Sequence, residues 1–221
     1  SDEDITLTST STIDELVDNN TTDITTSGTL ALTAQGAIGA AGATGALDLT
    51  VGTLQATTNS GGIFVLESSA LTVGGTGVQT TGGDAEIQIT LTAGNLTLED
   101  DITADGSGNV TLVLSAASAQ LITGEAADDI VSGTGDISIT ADVLTLVGGN
   151  ITSVGGALTL QPLSAGQSVG ISGGAGTFSL TTAEIDLLSN GFSSITIGAS
   201  GGSGAIDINA ITFTDPVTIR G

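Results

Sequence analysis

Carboxylates are the side chains in this sequence most able to do chemistry. Glu99, Asp100, Asp101 and Asp105 stand in LEDDITADGSGN, and Glu125, Asp128 and Asp129 stand in GEAADDIVSGTGD. The two groups lie about one repeat apart, so a coiled chain would bring them to one edge. Carboxylates crowded at turns beside carbonyl-rich loops form the oxygen-donor set that Ca²⁺ prefers, which makes these residues the candidate metal ligands. The competing expectation is a set of solvated corner charges that keep the surface soluble and the strand edges unpaired. The pattern matches neither an EF-hand loop nor the Ca²⁺-binding nonapeptide, because Asp does not recur after the glycine pairs. Acids also crowd the N-terminus, at Asp2, Glu3, Asp4, Asp14, Glu15 and Asp18, while the sole basic residue, Arg220, sits at the opposite end. In a head-to-tail assembly Arg220 would meet Asp2, Glu3 and Asp4 of the next copy. That contact would help set register, while strand pairing supplied most of the energy. The plainer alternative is an incidental surface arginine.

Catalysis has few tools here. The chain contains no His, Cys, Tyr, Trp or Met, and with Arg220 as its one basic residue it also lacks Lys. Most general bases and nucleophiles are therefore missing. Lyases on acidic sugars need a cation to steady the developing negative charge. Hydrolysis by paired carboxylates needs none, but such sites lean on aromatic platforms for sugar rings, and there are only 4 Phe. The expectation is a protein without enzymatic activity and without a cofactor, Ca²⁺ being the one candidate ion.

Charge narrows the partners. The 24 acids give a formal net charge of −23. Nucleic-acid binding requires Lys or Arg against phosphate, and an anionic membrane surface would repel this chain. Membrane insertion is not expected, since no apolar run approaches the roughly 18 residues of a span. The sequence starts at Ser1, with neither an initiator Met nor a signal peptide, as a processed chain or a segment of a longer one would.

The elements that would position these acids are short strands. A Gly, or a small or polar residue, precedes an alternating run, and the unit recurs. Examples are GTLALTA from Gly28, GALDLTV from Gly45, GNVTLVLSA from Gly108, GDISITADVLTL from Gly135 and GALTLQPL from Gly156. The spacing is roughly 17 to 27 residues, centred in the range of solenoid coils. Apolar residues alternate with polar ones, which suits one inward row per strand and a wet outer face. The 34 glycines supply corners. The expected core positions are Leu30, Leu32, Leu47, Leu49, Ile87, Ile89, Leu112, Leu114, Ile137, Ile139, Leu158, Leu160, Ile195 and Ile197. Phe64, Phe178, Phe192 and Phe213 are expected to fill wider points inside, with acids decorating the outside. TTAEIDLLSN, from Thr181 to Asn190, carries the best helix signal, a Thr cap and an acid in the first turn. Its surroundings favour a strand and corner of another coil instead. Residues 1–24, acidic, Thr-rich and free of Gly, read as a first coil, a cap or a pairing arm; residues 25–221 read as the repeats.

The fold class expected is all-β, a single right-handed parallel β-helix of about nine or ten coils. Thr-rich outer faces admit an ice-binding reading, but the Thr do not follow one repeated T-x-T pattern. Asn19, Asn20, Asn95, Asn109 and Asn150 each sit in N-x-[ST], a match that arises often by chance in a Thr-rich chain.

The G-x-[IVL]-x-[IVL] strands and Thr/Gly-rich corners resemble the filamentous-haemagglutinin-like β-helical repeats of giant bacterial surface proteins. The stretch GTFSLTTAEIDLLSNGFSSITIG from Gly176, followed by GAIDINAITFTDPVTIRG from Gly204, carries the resemblance most specifically. The resemblance implies a secreted, extracellular or cell-surface protein acting as stalk, adhesin or filament. On that basis the leading expectation is a structural subunit or segment of an extracellular fibre, joined head to tail to copies of itself or to further repeats. A stalk segment of a giant adhesin is the first alternative. A β-helix that binds or cleaves carbohydrate is the second, with a glycan or host surface as the outside partner.

Overall fold

A computed structural model describes residues 3–15, 21–42, 44–124 and 128–221. Asp2, Asp18 and Glu125 lie outside the described residues. The chain is a parallel β-solenoid of about nine turns with almost no helix. It opens with β1 (Ile5–Ser9) and two long strands, β2 (Ile24–Ala34) and β3 (Leu47–Thr58). Shorter strands follow: β4 (Ile63–Glu67), β5 (Leu71–Thr80), β6 (Ile87–Leu91), β7 (Leu96–Leu98), β8 (Ile102–Ala104), β9 (Val110–Leu114), β10 (Gln120–Thr123) and β11 (Ile130–Ser132). Then come β12 (Ile137–Thr140), β13 (Val143–Leu146), β14 (Ile151–Thr152), β15 (Ala157–Gln161), β16 (Val169–Ile171) and β17 (Phe178–Leu180). The helical turn α1 (Thr182–Ile185) precedes β18 (Ser194–Ile197), β19 (Ile206–Ile208) and β20 (Val217–Ile219).

The strands stack in columns, each strand parallel to its neighbour one coil away. The first column runs β4, β6, β9, β12, β15, β18, β20. Its inward row is continuous from end to end: Ile13, Ile38, Ile63, Ile87, Val110, Ile137, Leu158, Ile195 and Val217 are successive parallel partners. A second column runs through the first half of β5 to β7, β10 and β13, and a third through the second half of β5 to β8, β11 and β14. The division arises at β5. Leu54 faces Val73 but Ala56 faces Val78, so Gly74-Gly75-Thr76-Gly77 bulges out of register and turns one long strand into two faces. Gly75 and Gly77 have φ of 70° and 72°, and a Cβ on Gly77 would lie 2.2 Å from the Asp101 carbonyl oxygen. Only glycine allows both that turn and that approach.

The interior follows from period-two alternation. Every expected core position from Leu30 to Ile197 is buried. Phe178 and Phe192 are buried too, whereas Phe213 is only partly covered. Phe64 is buried in another way: Ile63, Val65 and Glu67 share the phase of the inward row, so Phe64 takes the outward phase. A Cβ on neighbouring Gly62 would lie 2.6 Å from its ring. Its ring lies over that glycine, on the outer side of the strand.

The acids do not all decorate the outside. Glu67 is 0% exposed, and Asp48, Asp128 and Asp142 are buried. Glu67 is tolerated because its carboxylate accepts the Val51 N–H at 3.0 Å, the Ser69 N–H at 2.8 Å and the Ser69 hydroxyl at 2.7 Å. A buried charge needs this degree of hydrogen bonding.

Two features near the C-terminal end depart from a simple spiral. Residues 181–190 do not form the strand and corner their surroundings suggest. Thr181 Oγ1 accepts the Glu184 N–H at 3.2 Å, and the Glu184 carboxylate accepts the Thr181 N–H at 2.8 Å. This capping box satisfies the first-turn donors locally, so α1 forms, and Leu188 then rejoins the stack opposite Ile151. The second feature is a skipped rung. β16 precedes β17 in sequence yet lies between β17 and β19, in the order β17-β16-β19. The return is tight: a Cβ on Gly170 would lie 2.1 Å from the Gly174 carbonyl oxygen.

Leu112 stands in the middle of the stack, fully buried between Ile89 and Ile139. Leu112→Ala should cost about 2–5 kcal/mol in urea unfolding. Thr111→Ala, one residue away on the outer face, should cost under about 1 kcal/mol.

Candidate functional site

The predicted metal ligands fall on a corner whose first task is structural. A recurring unit places Asp or Asn immediately before an inward aliphatic residue: Asp4-Ile5, Asp23-Ile24, Asn95-Leu96, Asp101-Ile102, Asn109-Val110, Asp129-Ile130, Asp136-Ile137 and Asn150-Ile151. In all but the last of these the side-chain oxygen accepts a backbone N–H from the following coil. Asp4 takes Thr29 at 2.8 Å, Asp23 takes Asp48 at 3.1 Å, Asn95 takes Gln120 at 3.0 Å and Asn109 takes Asp136 at 2.8 Å. Asp101 takes Asp129 at 2.8 Å, Asp129 takes Asn150 at 2.5 Å and Asp136 takes Ala157 at 2.7 Å. The chain leaves its ladder at each corner, so these oxygens satisfy donors that strand pairing cannot reach. A carboxylate or an amide serves equally. The N-x-T matches at Asn95 and Asn109 therefore record a stacking motif of acceptor, inward aliphatic and outward Thr.

Of the candidate ligands, Asp100, Asp101, Asp128 and Asp129 are brought together. Asp100 accepts the Asp101 N–H at 2.9 Å, and buried Asp128 accepts the Gly124 N–H at 2.9 Å. Burial pushes the Asp101 carboxyl above its ordinary value of 3.8. The hydrogen bond from Asp129 N–H pulls it back in part, while the like charges of Asp129, Asp100 and Asp128 push it further up. Glu99 is exposed just before this corner. Asp105 lies beyond the far end of β8, where its N–H donates to Thr80 Oγ1 at 2.9 Å. Glu125 lies outside the described residues.

Sequence reading missed a second carboxylate group. Glu15, Asp23 and Asp48 bring ligand oxygens within 4.8 Å of one another. The signal was the Asp-Ile motif at Asp23, which recurs one coil later as Asp48; only the coil length shows that the two are vertical neighbours. Ca²⁺ takes six to eight oxygens, so this trio offers part of a set.

The ends of the stack form the other candidate site. In the last rung, Ile206 and Ile208 are 44% and 50% exposed, although their partners one rung below, Val169 and Ile171, are buried. Val217 is 37% exposed above buried Ile195. In the first rung Leu7 is 36% exposed beneath buried Leu32. These residues hold core positions that no further strand covers among the described residues, where β1, β19 and β20 each have one partner strand. Glu3, Asp4 and Asp14 at one end and Arg220 at the other are all exposed.

Two grooves differ in their lining. One beside Phe213, lined also by Ile185, Asp186, Leu188 and Thr212, holds a single carboxylate and a single ring. Another, lined by Thr25, Thr26, Thr50 and Val51, holds neither. Among the described residues no helix is long and apolar enough to cross a membrane.

Because Asp101 titrates above its ordinary value, its protonated form favours the fold. That stabilisation is fully present below about pH 3.8 and is lost as pH rises through the raised value. Asp101→Asn keeps the oxygen for the Asp129 N–H and removes the charge. Thermal melts should show the variant more stable than the parent at pH 7, with the gap closing at acidic pH.

No protein-family model, curated protein or solved structure matches this chain.

Proposed function

We propose that this chain is a structural segment of an extracellular bacterial fibre, extended end to end through its open coils, and not an enzyme. The observation that carries the proposal is the uncovered rung at each end. The inward row from Ile13 to Val217 is unbroken, and the residues that close it, with Leu7, Ile206 and Ile208, expose apolar surface that every interior rung buries. A solenoid gains stability from each interface between neighbouring repeats, so such an end favours more of the same fold. Exposed strand edges add a row of backbone donors and acceptors to that preference.

Composition supports a passive role. With no His, Cys or Tyr, the groove beside Phe213 sets one carboxylate, Asp186, among the Ser189, Thr212 and Thr214 hydroxyls and lacks the imidazole that usually activates such a hydroxyl. An acidic, repetitive exterior suits an extracellular element kept soluble by its charge. The resemblance of the strand and corner pattern to filamentous-haemagglutinin-like repeats points to a bacterial surface. A stalk segment of a longer adhesin would use the same coil and differ only in covalent continuity.

Negative-stain microscopy of the purified chain tests this reading. Nine rungs at about 4.8 Å span roughly 43 Å, so end-to-end assembly should give unbranched rods whose lengths grow in steps of about 43 Å. Arms with CaCl₂ and with EDTA test whether the corner carboxylates need an ion for this. Particles that stay about 43 Å long at every concentration would sink the proposal.

A further inference from the structure

The two ends of the stack are not alike. At the N-terminal end, β1 pairs with β2 from Ile5↔Leu30 to Ser9↔Ala34, and so underlies the second and third columns. The first column begins with Ile13, beneath Ile38, and ends that coil with Asp23 and Ile24, beneath Asp48 and Leu49. Below Ile13 and Asp23 no strand pairs among the described residues. At the C-terminal end the same column finishes on β20, with Val217 in the row of Ile13 and Ile219 in the row of Val65. Among the described residues, the first column is unpaired below Ile13 at one end and beyond β20 at the other.

We propose that β20 of one copy pairs below Ile13 of the next, with Val217 stacked against Ile13 and Arg220 set against Asp23. This rests on the end-to-end reading above and adds the partner and the alignment. The register follows from the rows. Leu66 lies opposite Asp48, and the Asp48 N–H in turn bonds to Asp23. Leu66 also heads the row that descends through Thr90, Val113, Thr140 and Gln161. The pairing of Ile219 with Ile197 places Arg220 in this same row. A second copy displaced along the axis therefore brings the chain's only cation to the carboxylate group of Glu15, Asp23 and Asp48, whose oxygens lie within 4.8 Å of one another. A slip of one residue would turn Thr218 inward beneath Ile13 and Val217 out to water, so the apolar row enforces the same alignment that the charges favour. The register thus gives Arg220 to Asp23, in place of the Glu3 and Asp4 that chain-end proximity alone would suggest.

The chain has no Cys, so engineered cysteines report cleanly. In the paired variant Ile13→Cys, Val217→Cys the two sites lie at opposite ends of one copy, about 38 Å apart at about 4.8 Å per rung, and cannot join within it. Across the proposed junction they are in-register neighbours within disulfide range. Mild oxidation should give a ladder of covalent multimers on a non-reducing gel. The offset pair Ile13→Cys, Thr218→Cys should give at least tenfold less. Arg220→Glu, at an exposed end position, should leave the monomer's circular dichroism unchanged and weaken association at least tenfold in sedimentation. Rods that form without cross-linking at Val217, or that cross-link equally at Thr218, would overturn the register and leave the fibre reading standing. A chain that sediments as a monomer at every concentration would remove both.

Discussion

Parallel pairing of each strand with the one a coil away governs the rest of this molecule. Such pairing holds every rung at about 4.8 Å from the next, so each interior layer has nearly the same thickness. Ile, Leu and Val fill a layer of that height in low-energy rotamers. This is why the inward row from Ile13 to Val217 is aliphatic throughout, while Phe64 sits in the outward phase over Gly62. Phe178 enters the interior where β16 is slotted beyond β17, in the part of the stack that departs from a simple spiral.

The same constraint explains how a chain of charge −23 with a single basic residue accommodates its acids. Ladders break at corners, and a corner leaves N–H groups aimed at the neighbouring coil. Asp and Asn placed just before a strand accept those donors, from Asp4 to Thr29 and onward to Asp136 and Ala157. A carboxylate bonded to a backbone N–H recovers part of what it loses in leaving water. Where several converge, as at Asp100, Asp101, Asp128 and Asp129, the compensation is incomplete, and Asp101 holds its proton more tightly than usual. The acids are at once the stacking device and the repulsion that the stack must overcome.

Pairing also sets the ends apart from the interior. Within the stack each rung is covered on both sides, whereas Leu7, Ile208 and Val217 hold inward positions and are exposed.

Much of the architecture was readable from residues alone. Period-two alternation reports which side chains face inward, because successive Cβ atoms on a strand point to opposite faces. That is why the aliphatic pairs from Leu30 and Leu32 to Ile195 and Ile197 all lie in the core. The capping signature at Thr181 and Glu184 is visible too, and this local hydrogen-bond pair suffices to form the helical turn among surroundings that favour strand. Alternation carries no information about what lies one coil away. Coils here differ in length, so vertical neighbours fall 25 residues apart at Asp23 and Asp48 but 21 apart at Asp136 and Ala157. For that reason the Asp-Ile corner motif reads as surface charge, and Glu67 as an outer acid, from the sequence alone. The amino-acid order by itself determined which faces are apolar and that the chain coils. Only the tertiary structure decided which residues stand above one another, since that depends on the closed length of every turn.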